Sequence, residues 1–85
     1  MYAIIFSPTS QSQFDKLEKK IQNRILLSLE RIRIRPHNFV KKLSGYPFFR
    51  LRTGEYRIIL DIKNDCLTII VIEIGHRKNI YKPFK

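Results

Sequence analysis

The last apolar strand of the sequence, "CLTIIVIEI", runs through Gly75 into side chains that could act on a nucleic acid. His76 could transfer a proton, because histidine gains or loses one near neutral pH. Arg77 could bind a phosphate, and Tyr81 could stack on a base. Solubility alone does not require this combination. The end of the chain is therefore a candidate part of a functional site.

Basic side chains are concentrated in the middle of the chain. Seventeen Lys and Arg residues stand against seven Asp and Glu residues, a net charge of +10 in 85 residues. Between residues 31 and 57 there is one acid, Glu55, and there are eight basic residues: Arg31, Arg33, Arg35, Lys41, Lys42, Arg50, Arg52 and Arg57. So local an excess favours a polyanion-binding surface over a uniformly charged shell.

The elements that must position these residues begin with "YAIIF", a β-prone run that predicts a first strand. Residues 9–34 then have helical spacing. Their apolar side chains recur at steps of three and four, which predicts one stripe of Phe14, Leu17, Ile21, Ile25, Leu29 and Ile32. Ser10 or Ser12 should cap the start, and Pro36 should end the helix. The length favours a hairpin broken near residues 19–21 as well as one continuous helix.

Residues 36–47 contain two prolines and a glycine, which predicts a loop. Three strands follow, "FFRLR", "YRIILDI" and "CLTIIVIEI", separated by the turn segments "TGE" and "KND". Short turns between β-prone runs predict an antiparallel meander. The 85 residues are expected to form one α+β domain, with the helices packed on one face of the sheet.

The opposite face of the sheet is expected to carry the arginines. Successive side chains of a strand point to opposite faces, so Arg50 and Arg52 should share one face. Arg57 should join them from the next strand, and Arg77 follows the strand after that. Four guanidinium groups this close repel one another unless an anion lies among them. The pattern predicts a phosphate site on a face that the helices leave uncovered.

The cysteine count and the lack of long apolar runs indicate the cellular compartment that we expect for this protein. Cys66 is the only cysteine, so an internal disulfide is impossible and a reducing cytosol is the expected setting. The opening "MYAIIF" is too short for a signal peptide, and no apolar run approaches the roughly 20 residues that span a bilayer. We expect a cytoplasmic protein without membrane contact.

Two ordered basic and aromatic motifs, "LRTGEYRIIL" and "IGHRKNIY", make the whole chain resemble the RelE/ParE superfamily of toxin–antitoxin toxins. The chain most resembles the RelE-type messenger-RNA interferases. The resemblance implies a fold similar to microbial ribonucleases and cleavage of mRNA in the ribosomal A site. It implies a reaction without metal or cofactor, in which the ribose 2′-OH attacks the adjacent phosphate. The implied partners are the ribosome, mRNA and an acidic, RelB-like antitoxin.

The resemblance also implies roles for individual residues. Arg50 and Arg52 match positions where relatives carry Lys or Arg beside the scissile phosphate. Arg57 matches a phosphate-clamping arginine, and Arg77 an arginine that stabilises the transition state or protonates the leaving group. Tyr81 matches a near-terminal tyrosine that stacks on the substrate or helps to orient it. Further phosphate-positioning or ribosome-contacting charges are expected at Lys41 and Lys42.

The general base is not identified by the resemblance. Relatives use a lysine or a glutamate, whereas Arg52 stays charged and is a poor proton acceptor. His76 has suitable chemistry, but strand alternation would point it away from the face of Arg77. Glu55 and Glu73 are the carboxylates left nearby.

Two other functions are compatible with the sequence. The ParE branch shares the fold and inhibits DNA gyrase by binding, without nuclease chemistry. A basic RNA-binding domain without catalysis would also carry these arginines. The arginine set together with the tyrosine of "GHRKNIY" favours the nuclease.

Overall fold

Two helices pack on one face of a five-stranded sheet whose strand order is β1-β5-β4-β3-β2. In this computed structural model, residues 1–76 are described. β1 pairs in parallel with β5, and the other neighbours are antiparallel. The elements are β1 Ala3–Phe6, α1 Pro8–Asp15, α2 Lys19–Ile32, a 3₁₀ turn Pro36–Asn38, β2 Lys41–Lys42, β3 Phe49–Thr53, β4 Tyr56–Lys63 and β5 Thr68–His76.

The predicted α+β fold and its meander are confirmed. β3, β4 and β5 follow one another as antiparallel neighbours. The β3–β4 turn contains Gly54 at φ +59°, a left-handed conformation that glycine adopts without steric cost. β5 then lies between β4 and β1, because the helical hairpin carries the chain across the sheet between β1 and the meander.

The helical segment is a hairpin, interrupted at residues 16–18 rather than at 19–21. The predicted cap was wrong. Ser7, not Ser10 or Ser12, caps α1 by accepting the Ser10 backbone N–H at 3.1 Å, and Pro8 occupies the first helical position. Ser10 is instead fully buried, and its hydroxyl donates to the Val71 carbonyl at 2.7 Å. That hydrogen bond attaches α1 to β5.

The main core lies between the helices and the sheet. The predicted stripe is confirmed: Ile25, Leu29 and Ile32 are buried, and the other members pack against them. The sheet side of this core is supplied by Leu51, Ile58, Leu60, Ile62, Ile69, Val71 and Ile74. Burying one such side chain contributes about 1.5–3 kcal/mol, so this layer fixes which sheet face the helices cover.

The outer face is not bare, which corrects the expectation of an uncovered surface. Ile59 points outward and is still fully buried, packed with Leu43, Tyr46, Phe48 and Ile72. The segment predicted as a loop supplies this cover. This segment contains the 3₁₀ turn and the short β2. The residues after β2, including Leu43 and Tyr46, pack over Ile59.

A β-bulge in β5 makes the second cluster possible. Ile59 pairs with Glu73 but Leu60 pairs with Val71, so Ile72 is an extra residue in the ladder. Val71 and Ile74 both reach the main core, while Ile72 joins the outer cluster. Within residues 1–76, no helix is long and apolar enough to cross a membrane.

Candidate nucleic-acid interface

Three neighbouring strands bring four cations together on the outer face. Lys41 lies opposite Arg50 across β2 and β3, and Arg52 lies opposite Arg57 across β3 and β4. Side chains directly opposite in an antiparallel pair have Cβ atoms about 4.5–5.5 Å apart. These four residues and Phe39 line a cavity of about 190 Å³, called here the basic groove.

Strand alternation explains why the arginines gather there. Leu51 and Ile58 point into the main core, so their chain neighbours Arg50, Arg52 and Arg57 must point outward. The predicted common face of these three arginines is confirmed by their pairing and by the groove that they line.

The basic groove is strongly electropositive. Its described lining holds four cations and no carboxylate. Arg52 is exposed and donates its Nε–H to the Gly54 carbonyl at 3.4 Å, whereas Arg50 and Arg57 are half-buried. Like charges gathered on one surface repel one another. A phosphate in the groove would replace this repulsion with attraction and charge-assisted hydrogen bonds.

Two predicted site residues lie away from the groove. Lys42 pairs with Phe49, whose side chain packs on the main core, so Lys42 belongs to the opposite sheet face. His76 pairs with Tyr56, and their rings make an edge contact with centroids 5.6 Å apart. The structure does not bring His76 together with Arg50, Arg52 and Arg57. Arg77 and Tyr81 lie outside the described residues.

His76 instead lines a second cavity of about 250 Å³, called here the opposite cavity. This cavity lies on the helix side, at the end of the β3–β4 hairpin, and includes Glu55. Its lining mixes apolar, acidic and basic side chains: Ile21, Arg24, Thr53, Gly54, Glu55, Tyr56 and His76.

Glu73 lies on the groove face. It pairs with Ile59, and Arg57 pairs with Gly75, so Glu73 is diagonal to Arg57 across the β4–β5 ladder. Diagonal neighbours have Cα atoms about 7–8 Å apart, within reach of long side chains. The bulge at Ile72 places Glu73 on this face, because it brings Glu73 opposite Ile59, whose side chain points outward and not into the main core.

Sequence reasoning did not single out Phe39, which the structure shows in the groove lining. The available signal was an aromatic residue two positions before Lys41, in a proline-bounded segment of high positive charge. In the part of the chain that the structure describes, no three His, Cys, Asp or Glu side chains come together as a possible metal site.

The family of the chain follows from comparison with known proteins. A family model described as the ParE toxin of the type II toxin–antitoxin system, parDE, matches residues 4–81, nearly the whole chain. The chain belongs to the RelE/ParE toxin family. The resemblance drawn from the two sequence motifs is thereby confirmed.

Several relatives of this RelE/ParE toxin carry the RelE name. A chain of the RelB–RelE antitoxin–toxin complex from Methanococcus jannaschii is 31% identical, with a TM-score of 0.71 over 95% of this chain and 99% of its own. Toxin RelE3 of Methanocaldococcus jannaschii is 44% identical over 46 residues, 53% of this chain and 50% of that protein. The match thus spans about half the length of that curated relative.

The same fold occurs in a solved structure of lower sequence identity. A chain of the toxin–antitoxin complex RelBE2 from Mycobacterium tuberculosis has a TM-score of 0.79 at 22% identity, over 89% of this chain and 98% of its own. The family model carries the ParE name and these relatives carry the RelE name. Membership alone therefore does not decide between a gyrase-directed and a ribosome-directed toxin.

Proposed function

We propose that this protein is the toxin of a type II toxin–antitoxin pair and that it cleaves mRNA in the ribosomal A site. The observation that carries the proposal is the basic groove. Arg52 and Arg57 face each other beside Arg50 and Lys41, and an aromatic side chain lines the same cavity. Clustered cations next to an exposed ring are the arrangement that binds single-stranded RNA.

The proposed reaction is an internal phosphoryl transfer. A base removes the proton of the ribose 2′-OH, whose oxygen forms a bond to the adjacent phosphorus. The bond to the 5′-oxygen breaks, and an acid protonates that oxygen. Negative charge accumulates on the phosphoryl oxygens during this step, and guanidinium groups already held around them stabilise it.

Each groove residue has a role in this proposal. Arg57 is half-buried and its strand lies between β3 and β5, which would restrict the motion of its guanidinium before substrate binds. Arg57 and Arg52 would stabilise the reacting phosphate, and Arg50 and Lys41 would bind the flanking phosphates. Arg77 and Tyr81, carried over from the family motif, would protonate the leaving group and stack on the substrate.

Glu73 is the candidate base that this geometry favours. It shares the groove face and is diagonal to Arg57, whereas His76 and Glu55 line the opposite cavity. A carboxylate within reach of the 2′-OH would accept its proton.

An acidic antitoxin is the partner that we propose. Related solved structures include RelB–RelE and RelBE2 toxin–antitoxin complexes. A protein with a net charge of +10 attracts an anionic partner over long distances, which favours rapid neutralisation. An amphipathic helix or an added strand would be the expected binding mode. Access to ribosomes would require a cytoplasmic location.

Primer extension on an mRNA incubated with purified protein and programmed 70S ribosomes tests the proposal. New 3′ ends in the A-site codon, found only with ribosomes and absent for Arg57→Ala, are the expected result. Lys42→Ala is the matched control, because it removes a cation outside the groove and should leave the cuts unchanged.

Gyrase inhibition is the second candidate, favoured by the ParE name of the family model. A supercoiling assay run in parallel separates the two activities. Loss of gyrase supercoiling with no mRNA cleavage would replace the nuclease proposal with a gyrase-directed one.

A further inference from the structure

Phe39 is an aromatic residue that the fold leaves on the surface. Its side chain is 48% exposed, and it belongs to neither apolar cluster. The other large exposed apolar residues within residues 1–76 carry no aromatic ring: Met1, Ile5, Leu26, Leu27, Ile34 and Leu67. In the described chain, the one exposed large aromatic hydrophobe is the one that lines the basic groove.

The segment that carries Phe39 is anchored on both sides. Phe39 follows the 3₁₀ turn Pro36–Asn38, and its backbone N–H donates to the Pro36 carbonyl at 3.4 Å. Pro36 is buried, and His37 makes an edge contact with Phe49, with ring centroids 5.3 Å apart. Two residues later, Lys41 joins the sheet opposite Arg50. The backbone that carries the Phe39 ring is therefore fixed to the rest of the fold on both sides.

We propose that Phe39 is a nucleobase-binding residue of this protein, on whose ring one base of the RNA stacks. The inference rests on the proposed function for the identity of the ligand as single-stranded RNA. Lys41 and Arg50 would bind the phosphates next to that base, because they line the same cavity. Base and backbone would then be held at once, which restricts the position of the reacting 2′-OH.

The chemistry of stacking predicts what Phe39 contributes. Every base has a π face, so a phenyl ring binds all four bases and adds affinity and orientation with little discrimination. The contact involves no phosphate, so it releases no counterions and should not change the salt dependence of binding. These two properties distinguish Phe39 from the cations beside it.

The test measures binding of a short, fluorescently labelled single-stranded RNA made non-cleavable by 2′-O-methyl groups. Phe39→Ala and Phe39→Leu should both weaken binding by about 5- to 100-fold, and Phe39→Tyr should retain it, because stacking requires a ring. The slope of log affinity against log salt should stay that of the unmodified protein. Leu27→Ala, an exposed apolar change on α2 away from the groove, is the matched control and should have no effect.

An abasic scan of the same RNA identifies the contact. Removing one particular base should weaken binding to the unmodified protein and have no further effect on Phe39→Ala. Thermal unfolding of each variant checks that the fold is retained. Three results would each overturn the inference. One is that every abasic position weakens binding to Phe39→Ala as much as to the unmodified protein. The others are full RNA affinity of Phe39→Leu and no RNA binding by the unmodified protein.

The nuclease proposal and the Phe39 proposal can fail separately. Coupling between Phe39 and one base, in a protein that cuts no mRNA on ribosomes, would sustain the base-binding role and reject the nuclease. Ribosome-dependent cleavage by the unmodified protein, together with unchanged RNA binding by Phe39→Ala, would support the nuclease and reject the base-binding role of Phe39.

Discussion

The basic groove and the opposite cavity lie back to back on the same β3–β4 hairpin, and they are built from alternate residues of the same strands. Arg52 and Arg57 line the groove, while their chain neighbours Thr53 and Tyr56 line the cavity behind it. A single step along the chain separates a cation-lined surface from one of mixed chemistry. Alternation of side chains in a strand is the cause.

The two regions differ in how their charges can be balanced. The opposite cavity includes Arg24, Glu55 and His76, a set that contains both an acid and bases. The charged residues in the described lining of the basic groove are all cations, which favours binding of an anion. Our proposal assigns substrate binding to the groove side of the hairpin, and mutations on the two sides test it.

The largest effect is expected from Arg57→Ala. Removing one preorganised donor from a transition-state site typically lowers the rate about 100- to 1,000-fold, and we expect a loss of this size. Arg57→Lys should recover part of the rate, because it restores the charge without the bidentate geometry. Single-turnover cleavage on programmed ribosomes measures both variants. A loss below about tenfold for Arg57→Ala would remove this arginine from the reaction.

Lys41 and Lys42 form a matched pair of adjacent exposed lysines on opposite sheet faces. Lys41→Ala should weaken binding of non-cleavable RNA uniformly across sequences and reduce the salt slope by about one, because one phosphate contact is lost. Lys42→Ala should leave both quantities unchanged. Affinity measured at several salt concentrations provides the comparison. Equal effects of the two changes would mean that overall charge, and not the groove, determines binding.

Arg52→Gln should stabilise the protein that it inactivates. Arg52 and Arg57 are directly opposite in the ladder, and like charges in that position are unfavourable by roughly 0.2–1 kcal/mol. Urea unfolding at low salt should give a free energy of unfolding higher by this amount, and the gain should disappear at high salt. A decrease in the free energy of unfolding at low salt would contradict the proposed repulsion.

The smallest effect on cleavage is expected from His76→Gln. His76 lies behind the sheet, so its replacement should change the rate by no more than about twofold. The loss of its edge contact with Tyr56 should lower the free energy of unfolding by about 0.5–1.5 kcal/mol. A full pH–rate profile should keep its shape. A large rate loss with normal RNA binding would restore histidine as a candidate for proton transfer.

Much of the fold could be predicted from residue patterns within single helices and strands. The apolar stripe of the helices, the three-stranded meander and the common face of Arg50, Arg52 and Arg57 were all predicted and are all observed. Each depends on a local period, 3.6 residues in a helix or two in a strand. The Ser7 cap was missed because Ser7, Ser10 and Ser12 are equivalent candidates until the helix start is known.

Other features depend on contacts between residues far apart in the sequence, which the periodicity of a single element does not predict. β2 consists of Lys41 and Lys42, which have low strand propensity and pair only because β3 lies beside them. The bulge at Ile72 depends on the fit of β5 between two apolar clusters. The outer cluster around Ile59 was missed for the same reason, since its cover comes from a segment that looks like a loop.

The sequence by itself determined the family, the net charge, the helix stripe and the face on which three arginines lie. Tertiary structure decided that Lys41 and Phe39 join them, that Lys42 and His76 do not, and that Glu73 shares the groove face. The physical reason is distance along the chain. A side chain's orientation within its own element follows from local backbone geometry, whereas a meeting of residues 39 and 57 requires two strand pairings and the packing that sets their register.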